Sequence, residues 1–593
     1  MDVLDLYTMR YPSFWALDTE FLMSGRVNAP EDVMSVQFSN GDIQNSVVLE
    51  SADALRVWLD NHKFVKDCFA FVALPDLASV EEWLGVKHVS YKYRGSQLIG
   101  RVAYGSTKMM VYDARPLLQN FGLRRLEDCG RVVGYPKLAK PAWLGLRAWQ
   151  NESEHQAFIE YARADAVITS RIVKWLYESF GANPVVHASA GTLARDEFTL
   201  SKRLKRVKKT VVLPPLERLV KGCCYAGRSE GFTVGFTPSI VYNDVRSLYP
   251  CCLVATRALE IVDAVECRTS DLALDSDDSD LNETRFGWVE GVFDVPNSRW
   301  DGLPLRGVNN FYANGVISGF YHTFDLSAAN AQVLHVAHAY KPVFQPIQAH
   351  NRYADLLLNR LDHKLSVNEN MFAKAILNAL SGKLGQAHPL ARTSNFFAYS
   401  TVLAHSHFVM SKLFDKCEMP ILAMDTDSVF SQSDMSAKYF ELTDGEHIIP
   451  ISMDAKGRGD LAFFRSKNYI LKPFDGSEPV IGRHGWMYFY EDFLKLFDGS
   501  VKELHTRADI KHTLLTRQKE AQKLAKGRWK TKPVRLDLAK IKALLFADKK
   551  RRRETYDSYG LVMDKRNVDS QAWRYEDLMN MKNENPLNFP IIA

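Results

Sequence analysis

The clearest pattern along the chain runs through Ile421-Leu422-Ala423-Met424-Asp425-Thr426-Asp427-Ser428-Val429-Phe430. An apolar run meets two carboxylates one residue apart, and a second apolar pair follows. This predicts a strand, a tight turn and a returning strand, with Asp425 and Asp427 at the hairpin tip. Asp, Thr and Ser are also ordinary turn residues, so a plain polar turn is the rival reading of these four positions. Two other apolar strands carry acids. Ile240-Val241-Tyr242-Asn243-Asp244 ends in one, and Phe14-Trp15-Ala16-Leu17-Asp18-Thr19-Glu20-Phe21 holds Asp18 and Glu20 two apart, hence on one face. Helical periodicity covers about Ser153 to Phe180, where Tyr161 and Asp165 stack at i, i+4. It returns over Ile347 to Leu365 and over Glu369 to Leu384, the second helix placing Lys374 and Asn378 one turn apart. Asp76 stands just before a helix around Val80 to Leu84, and Val289 to Phe324 reads as several short strands. Lys467-Asn468-Tyr469 opens a further strand, and about 490 to 593 reads as helical and basic.

At 593 residues the chain has room for about four domain-sized units. The net charge of +5 is mild, so bulk charge names no partner. The basic residues cluster instead at 202–209, 519–532 and 549–553, and such runs suit phosphate backbones. Asp271 to Glu283 is very acidic and reads as a surface loop. No apolar run approaches the roughly 18 to 20 residues that span a bilayer, and no signal-like core follows Met1. The eight cysteines include no CxxC pair, and Cys223-Cys224 and Cys251-Cys252 read as small buried residues. The expectation is an intracellular, soluble protein in a reducing compartment, with no disulfide framework and no zinc site.

Two carboxylates held as close as Asp425 and Asp427 repel and raise their own pKa unless cations sit between them. Hard divalent ions such as Mg²⁺ take carboxylate and phosphate oxygens. With Asp244 as a third acid from a neighbouring strand, the set can hold a metal pair that clamps the attacking and leaving oxygens of a phosphoryl transfer. Asp18 and Glu20 can share a metal pair in the same way.

Asp244-x-x-Ser247-Leu248-Tyr249-Pro250 resembles motif A of family B DNA polymerases, and Asp425-Thr426-Asp427-Ser428 resembles motif C. Lys374-x-x-x-Asn378-Ala379-Leu380-Ser381-Gly382-Lys383, between them, looks like motif B, with Ser381 where the family has Tyr and Ala379 where it has Ser. Three motifs in order are a strong signal, and each alone is weak. The resemblance implies an α/β multidomain chain: an RNase H-like exonuclease domain (1–200), a linker and first palm segment (201–253), a palm insertion (254–345), fingers (346–390), palm (391–478) and thumb (479–593). It implies Asp244, Asp427 and the Val245 carbonyl as metal ligands, with Asp425 contributing. It makes Tyr249, Ser247, Leu248, Lys374, Asn378, Arg360 and Lys364 nucleotide-binding, Tyr249 as the gate against a 2′-hydroxyl. Tyr225, Gly227 and Arg228 (a YxGG/A-like stretch with Arg228 at the second glycine), Gly382, Lys383, Lys467 and Tyr469 are DNA-binding. In the exonuclease domain, Asp18, Glu20 and Asp165 are metal ligands, Asp76 is the middle acid (preferred to Asp113), and Tyr161 orients the attacking water. Val72 stands where the family has Asn, and Lys140 where it often carries a supporting lysine.

The implied activity is template-directed DNA synthesis from deoxynucleoside triphosphates with 3′–5′ proofreading, using two Mg²⁺ ions at each site, with Mn²⁺ as the substitute. The partners are template and primer DNA and no membrane, for a monomer replicating a viral or mobile-element genome in the host cytoplasm. The stretch from about Val254 to Lys341 has room for the insertion that holds a terminal priming protein in protein-primed members. The alternatives are a family B enzyme extending nucleic-acid primers, an exonuclease with an inactive polymerase half, and a DNA-binding protein without catalysis.

Overall fold

The structure is a computed structural model that describes residues 14–23, 30–94, 96–141, 149–198, 215–273, 285–297, 302–306, 310–386, 394–417, 419–436, 438–483, 504–506, 542–544, 568–569 and 573–576. The basic runs 202–209, 519–532 and 549–553 lie outside these residues, as does most of the acidic stretch after Asp271. The chain divides into two compact units. The first takes in the described residues up to Leu193 together with Ser366–Ile376, and the second takes in the rest.

The first unit is built on a seven-stranded mixed sheet, among the described residues, in the order β3-β2-β1-β4-β7-β6-β5. Its strands are β1 (Trp15–Met23), β2 (Pro30–Ser39), β3 (Val47–Leu49), β4 (Asp67–Ala70), β5 (Val89–Arg94), β6 (Gln97–Tyr104) and β7 (Thr107–Asp113). Helix α1 (Ala52–Asn61) begins at Ser51, whose hydroxyl accepts the N–H of Ala54 at 3.2 Å. Its Trp58 stacks on Phe38 of β2 with ring centres 3.7 Å apart, inside a core that includes Leu17, Val36, Leu77 and Val111. Helix α2 spans Ala73–Leu84, so Asp76 lies in its first turn and not ahead of it. Pro75 sits in this first turn, where a proline gives up only an N–H that has no intrahelical partner. Helix α3 (Glu152–Phe180) is capped by Asn151, which accepts the N–H of Glu154 at 3.0 Å, and it ends at Gly181 with φ 61°. It packs over β1 and β2.

The second unit holds two larger sheets. One comprises β10 (Ile261–Glu266), β11 (Trp288–Val295), β12 (Leu303–Leu305), β13 (Phe311–His322) and β14 (Gln332–Phe344), in the order β10-β14-β11-β13-β12. The expected short strands over 289–324 are thus partly long, β13 running for 12 residues. The other sheet runs β20-β19-β18-β9-β16-β15-β8. Its strands are β8 (Ser229–Gly231), β9 (Thr233–Val245), β15 (Ile421–Asp425), β16 (Ser428–Ser431), β18 (Ile448–Arg465), β19 (Asn468–Pro473) and β20 (Val480–Arg483), with β17 (Lys438–Thr443) pairing β18 off the main path. Helix α4 (Leu248–Ala255) follows β9, and α5 (Gln348–Leu361) ends just before His363, a residue with φ 56°. Helix α6 (Val367–Leu384), which belongs to the first unit up to Ile376 and to the second from Leu377, starts two residues before the expected Glu369, because Ser366 and Glu369 cap it reciprocally at 2.9 and 3.4 Å. Helix α7 (Phe396–Asp415) is buried along most of its length.

Of the few described residues in 490–593, which reads as helical in the sequence, only 575–576 are helical and the rest are strand. Leu504–Thr506 (β21) pairs with Lys542–Leu544 (β22), Val568–Asp569 (β23) adds to β9, and Trp573–Arg574 (β24) adds to β13. These pieces take their hydrogen bonds from neighbouring strands, which no local pattern announces.

Candidate active sites

Strands β15 and β16 form the hairpin read from the sequence, with Asp425 opposite Ser428. Thr426 turns it at φ 70°, a left-handed value that a β-branched residue adopts only under constraint. Two backbone bonds supply that constraint. The N–H of Thr426 donates to the Arg228 carbonyl, and the N–H of Val245 donates to the Asp427 carbonyl, both at 2.8 Å. Ser428 also lies opposite Asp244 of β9. Its hydroxyl donates to Asp244 Oδ1 at 2.9 Å and meets the Tyr242 hydroxyl at 3.1 Å. The strand pairing therefore carries Asp244 to the turn that holds Asp427.

Burial and then the neighbouring charges of Asp244 and Asp425 push the Asp427 carboxyl up to about 7. Asp425 is differently placed, since Lys467 reaches its carboxylate and the Tyr469 hydroxyl donates to Oδ2 at 3.3 Å. The Lys467 ammonium also donates to Thr426 Oγ1 at 3.1 Å, so this pair braces the turn. A fourth acid, Asp454 of β18, is in register with Asp244. Burial alone would raise its carboxyl, but Lys456 at 2.9 Å and Arg246 at 2.6 Å hold it below the ordinary value. Nothing in the sequence around Met453-Asp454-Ala455 marked it.

After β9 the chain turns at Ser247 with φ 53° and enters α4. Arg360, in the last turn of α5, donates to the Ser247 hydroxyl. Leu248 is buried, and Tyr249 lies close enough to Asp427 for that charge, after burial, to push its hydroxyl pKa up. A Cβ built on Gly227 would stand 2.5 Å from both the Tyr249 hydroxyl and the Thr426 methyl. Gly227 is therefore the contact point of Tyr249 with the acidic turn. The residues beside it face inward. Tyr225 packs in the core with Leu303 and Tyr321, and Arg228 is buried, bonded to Glu230 at 3.0 Å with its guanidinium 4.2 Å from the Tyr312 ring centre. Lys364 pairs with Asp362 at 2.8 Å. Lys374 and Asn378 are exposed on α6, in the first and second units respectively. Lys383 donates to Gln386 at 2.7 Å, and a Cβ on Gly382 would meet nothing within 4 Å.

In the first unit Asp18, Glu20 and Asp165 offer carboxylate oxygens within 4.8 Å of one another. Strand β1 supplies the first two on one face and α3 the third. Gln37 of β2, in register with Asp18, donates to its Oδ2 at 3.0 Å. Burial, then Asp165, pushes Glu20 up to about 7. Burial followed by Asp76, Asp165 and Glu20 raises Asp18 well above its ordinary value. Asp76 accepts the Thr19 hydroxyl at 2.8 Å and stands outside the group of three, near enough to act on Asp18 by charge. The buried Tyr161 lies under Lys137, whose ammonium is 5.6 Å from the ring centre and contacts Asp165 Oδ2. Lys137 had no sequence signal beyond standing three residues before Lys140. Asp113 accepts the N–H of Arg115 at 3.1 Å.

Asp165 Oδ1 is buried with no hydrogen-bond partner. An orphaned carboxylate oxygen among acids that raise one another fits a divalent ion, and an all-oxygen donor set fits Mg²⁺. The fit of a cation beside Asp244 and Asp427 rests on a different observation, the Asp427 carboxyl raised by burial and then by the charges of Asp244 and Asp425.

The fold described above is similar to that of DNA polymerases of known structure. The particular likeness is to phi29 DNA polymerase. Its complex with primer-template DNA and incoming nucleotide substrates matches with a TM-score of 0.58 and 13% identity, over 84% of this chain and 97% of that one. Its complex with single-stranded DNA gives 0.55 and 12%, over 81% and 94%. At such identity the likeness is one of fold. No protein-family model matches the sequence, and no curated protein matches it.

Proposed function

We propose that the chain is a template-directed DNA polymerase of family B with a 3′–5′ proofreading exonuclease. The observation that carries this reading is that strand pairing brings Asp244 of β9 to the turn that holds Asp427, where its charge, after burial, raises the Asp427 carboxyl. In this reading the first unit is an RNase H-like exonuclease domain and the second is built from palm and thumb, with α5 and α6 as fingers. Asp244, Asp427 and the Val245 carbonyl would hold two Mg²⁺ ions at the polymerase cluster, and Asp18, Glu20 and Asp165 would hold two at the exonuclease cluster. Bound there, the ions would supply charge stabilisation to the attacking and leaving oxygens of an in-line phosphoryl transfer. Tyr249 lies beneath the sugar of the incoming deoxynucleotide. Arg360, set by Ser247, faces its phosphates, and Lys467 and Tyr469 hold the primer end beside Asp425. Lys137 offsets part of the burial that raises the Asp165 carboxyl, and Tyr161 aligns the attacking water.

Asp244→Ala or Asp427→Ala should abolish primer extension and leave degradation of single strands. Asp18→Ala with Glu20→Ala should do the reverse. Normal extension by either of the first two variants defeats the reading. Initiation in this reading uses a hydroxyl of a partner protein, with the sheet of β10 to β14 as its support. The motivation is a separate sheet inserted between the Asp244 strand and α5. Incubation with a candidate terminal protein, one labelled nucleotide and Mg²⁺ should label that protein. No label, with efficient extension of an RNA primer, points to nucleic-acid priming.

A further inference from the structure

Outside both carboxylate clusters a third set of ligand atoms converges. His350 lies in the first turn of α5, and Asp444 and His447 lie in the turn between β17 and β18. Nε2 of His350 is 2.7 Å, and Nδ1 of His447 is 2.9 Å, from the same oxygen, Asp444 Oδ2. All three atoms are within 4.8 Å of one another. The turn fixes this aim. Gly445 takes φ 93°, and Asp444 Oδ1 accepts the N–H groups of Glu446 at 2.9 Å and His447 at 2.7 Å, leaving Oδ2 to face both imidazoles.

The corner is nearly dry. The side chains of His350 and Asp444 are 3% and 2% exposed and that of His447 is 14% exposed, so the His447 side is the open one. Burial alone would raise the Asp444 carboxyl, but bonds from His350, His447 and the two amides hold it well below its ordinary value. It is an anion in a place where anions are costly. His350 Nδ1 is buried without a hydrogen-bond partner. In the metal-free chain the ionised Asp444 oxygen at 2.7 Å holds the proton on Nε2, and Nδ1, with no partner, can carry it when Nε2 turns its lone pair to a cation.

We propose that His350, Asp444 and His447 bind one divalent transition-metal ion of the Zn²⁺ class, which ties the first turn of α5 to the β17–β18 turn. Two imidazole nitrogens and one carboxylate oxygen are a common zinc donor set, at bond lengths of about 2.0–2.2 Å. One cation in place of the two bridging protons keeps every donor engaged and leaves the amide bonds to Oδ1 intact. The fourth position, on the His447 side, takes water. The absence of paired cysteines speaks against thiolate zinc sites and does not touch this one. The proposal does not depend on the polymerase reading.

The test is Co²⁺ titration of the chelator-stripped full chain, followed by visible absorption. The two all-oxygen clusters hold Co²⁺ six-coordinate and absorb weakly, whereas a four- or five-coordinate site with two imidazoles absorbs several-fold more strongly. One equivalent of the strong band is expected in the wild type, displaced by one equivalent of Zn²⁺ and not by Mg²⁺. It should vanish in His447→Gln and persist in Asp427→Asn. Zn²⁺ should also raise the melting temperature of the wild type and not that of His447→Gln. Absence of the strong band from the wild type overturns the proposal, whatever the variants do, and so does its survival in His447→Gln or its loss in Asp427→Asn.

Discussion

Replacing Asp427 by Asn should make the metal-free protein more stable while ending primer extension. The Asp427 carboxyl titrates near 7 in the folded chain against an ordinary value of 3.8. The causes, in order, are burial and the charges of Asp244 and Asp425. The folded state thus binds this proton more tightly than the unfolded state. Its contribution to stability is present in full below about pH 4 and is lost as pH rises through 7. At about 1.4 kcal/mol per pH unit between the two pKa values, the loss is at most about 4 kcal/mol above pH 7. The turn is partly open to water, and Asp244 relaxes when its neighbour loses charge, so about 1–3 kcal/mol is the expected gain for Asp427→Asn at pH 8. At pH 4 the gain should be near zero.

The assay is urea unfolding in EDTA at pH 4, 6 and 8 for both proteins, read as the difference between them. Asp18, Glu20 and Asp76 add their own pH dependence to each curve, and the difference cancels it. Added Mg²⁺ should stabilise the wild type at this site and not the variant. Equal stability of the two proteins at pH 8 would refute the reasoning. So would a variant that is less stable there, because the acids would then be held by partners other than a cation.

Lys137→Met should cut 3′–5′ degradation roughly 10–100-fold, the usual effect of losing a group that orients a metal ligand, and leave synthesis intact; a single-strand digestion assay reads it. Gly227→Ala forces the Tyr249 hydroxyl and the Thr426 methyl away from a Cβ only 2.5 Å from each, so primer extension should fall at least about tenfold by the cost of misplacing a reacting group, with degradation of single strands unchanged. Tyr249→Ala should admit ribonucleotides, and unchanged sugar discrimination in a single-nucleotide insertion assay would mean another residue is the gate.

The acidic hairpin was legible because its strands and turn are adjacent in sequence and their apolar-polar rhythm has one sensible fold. The same holds for Asp18 and Glu20 on β1 and for the long α3 with its Asn151 and Gly181 ends. What escaped the sequence depends on contacts between distant residues. Lys137 meets Asp165 across 28 positions, and Asp454 reaches Arg246 across 208. Asp76 stands ahead of the helix read around Val80 to Leu84, whereas the helix starts at Ala73 and takes Pro75 in its first turn, which tolerates a proline. Tyr225 and Arg228 carry side chains that could serve a DNA surface. Their inward orientation follows from the partners Tyr321, Glu230 and Tyr312, which no reading of four residues supplies.

The inward turn of Arg228 explains why the departure from a second glycine at this position is tolerated. A buried guanidinium needs a buried anion, and Glu230, two residues on and itself fully buried, provides it. The pair locks the short strand β8, which runs antiparallel to β15 with Ser229 opposite Asp425. The Arg228 carbonyl, fixed by that lock, then accepts the N–H of Thr426 and holds the strained residue between the two acids. Arginine at this position thus acts on the acidic turn through its backbone, and its side chain is the anchor. Glu230→Gln should loosen that anchor by about 3–5 kcal/mol, since it leaves a buried charge without its partner. In a chain that still folds, the consequence should appear first at Thr426 and Asp427, as weaker Mg²⁺ binding at the polymerase cluster with Mg²⁺ binding at Asp18, Glu20 and Asp165 unchanged.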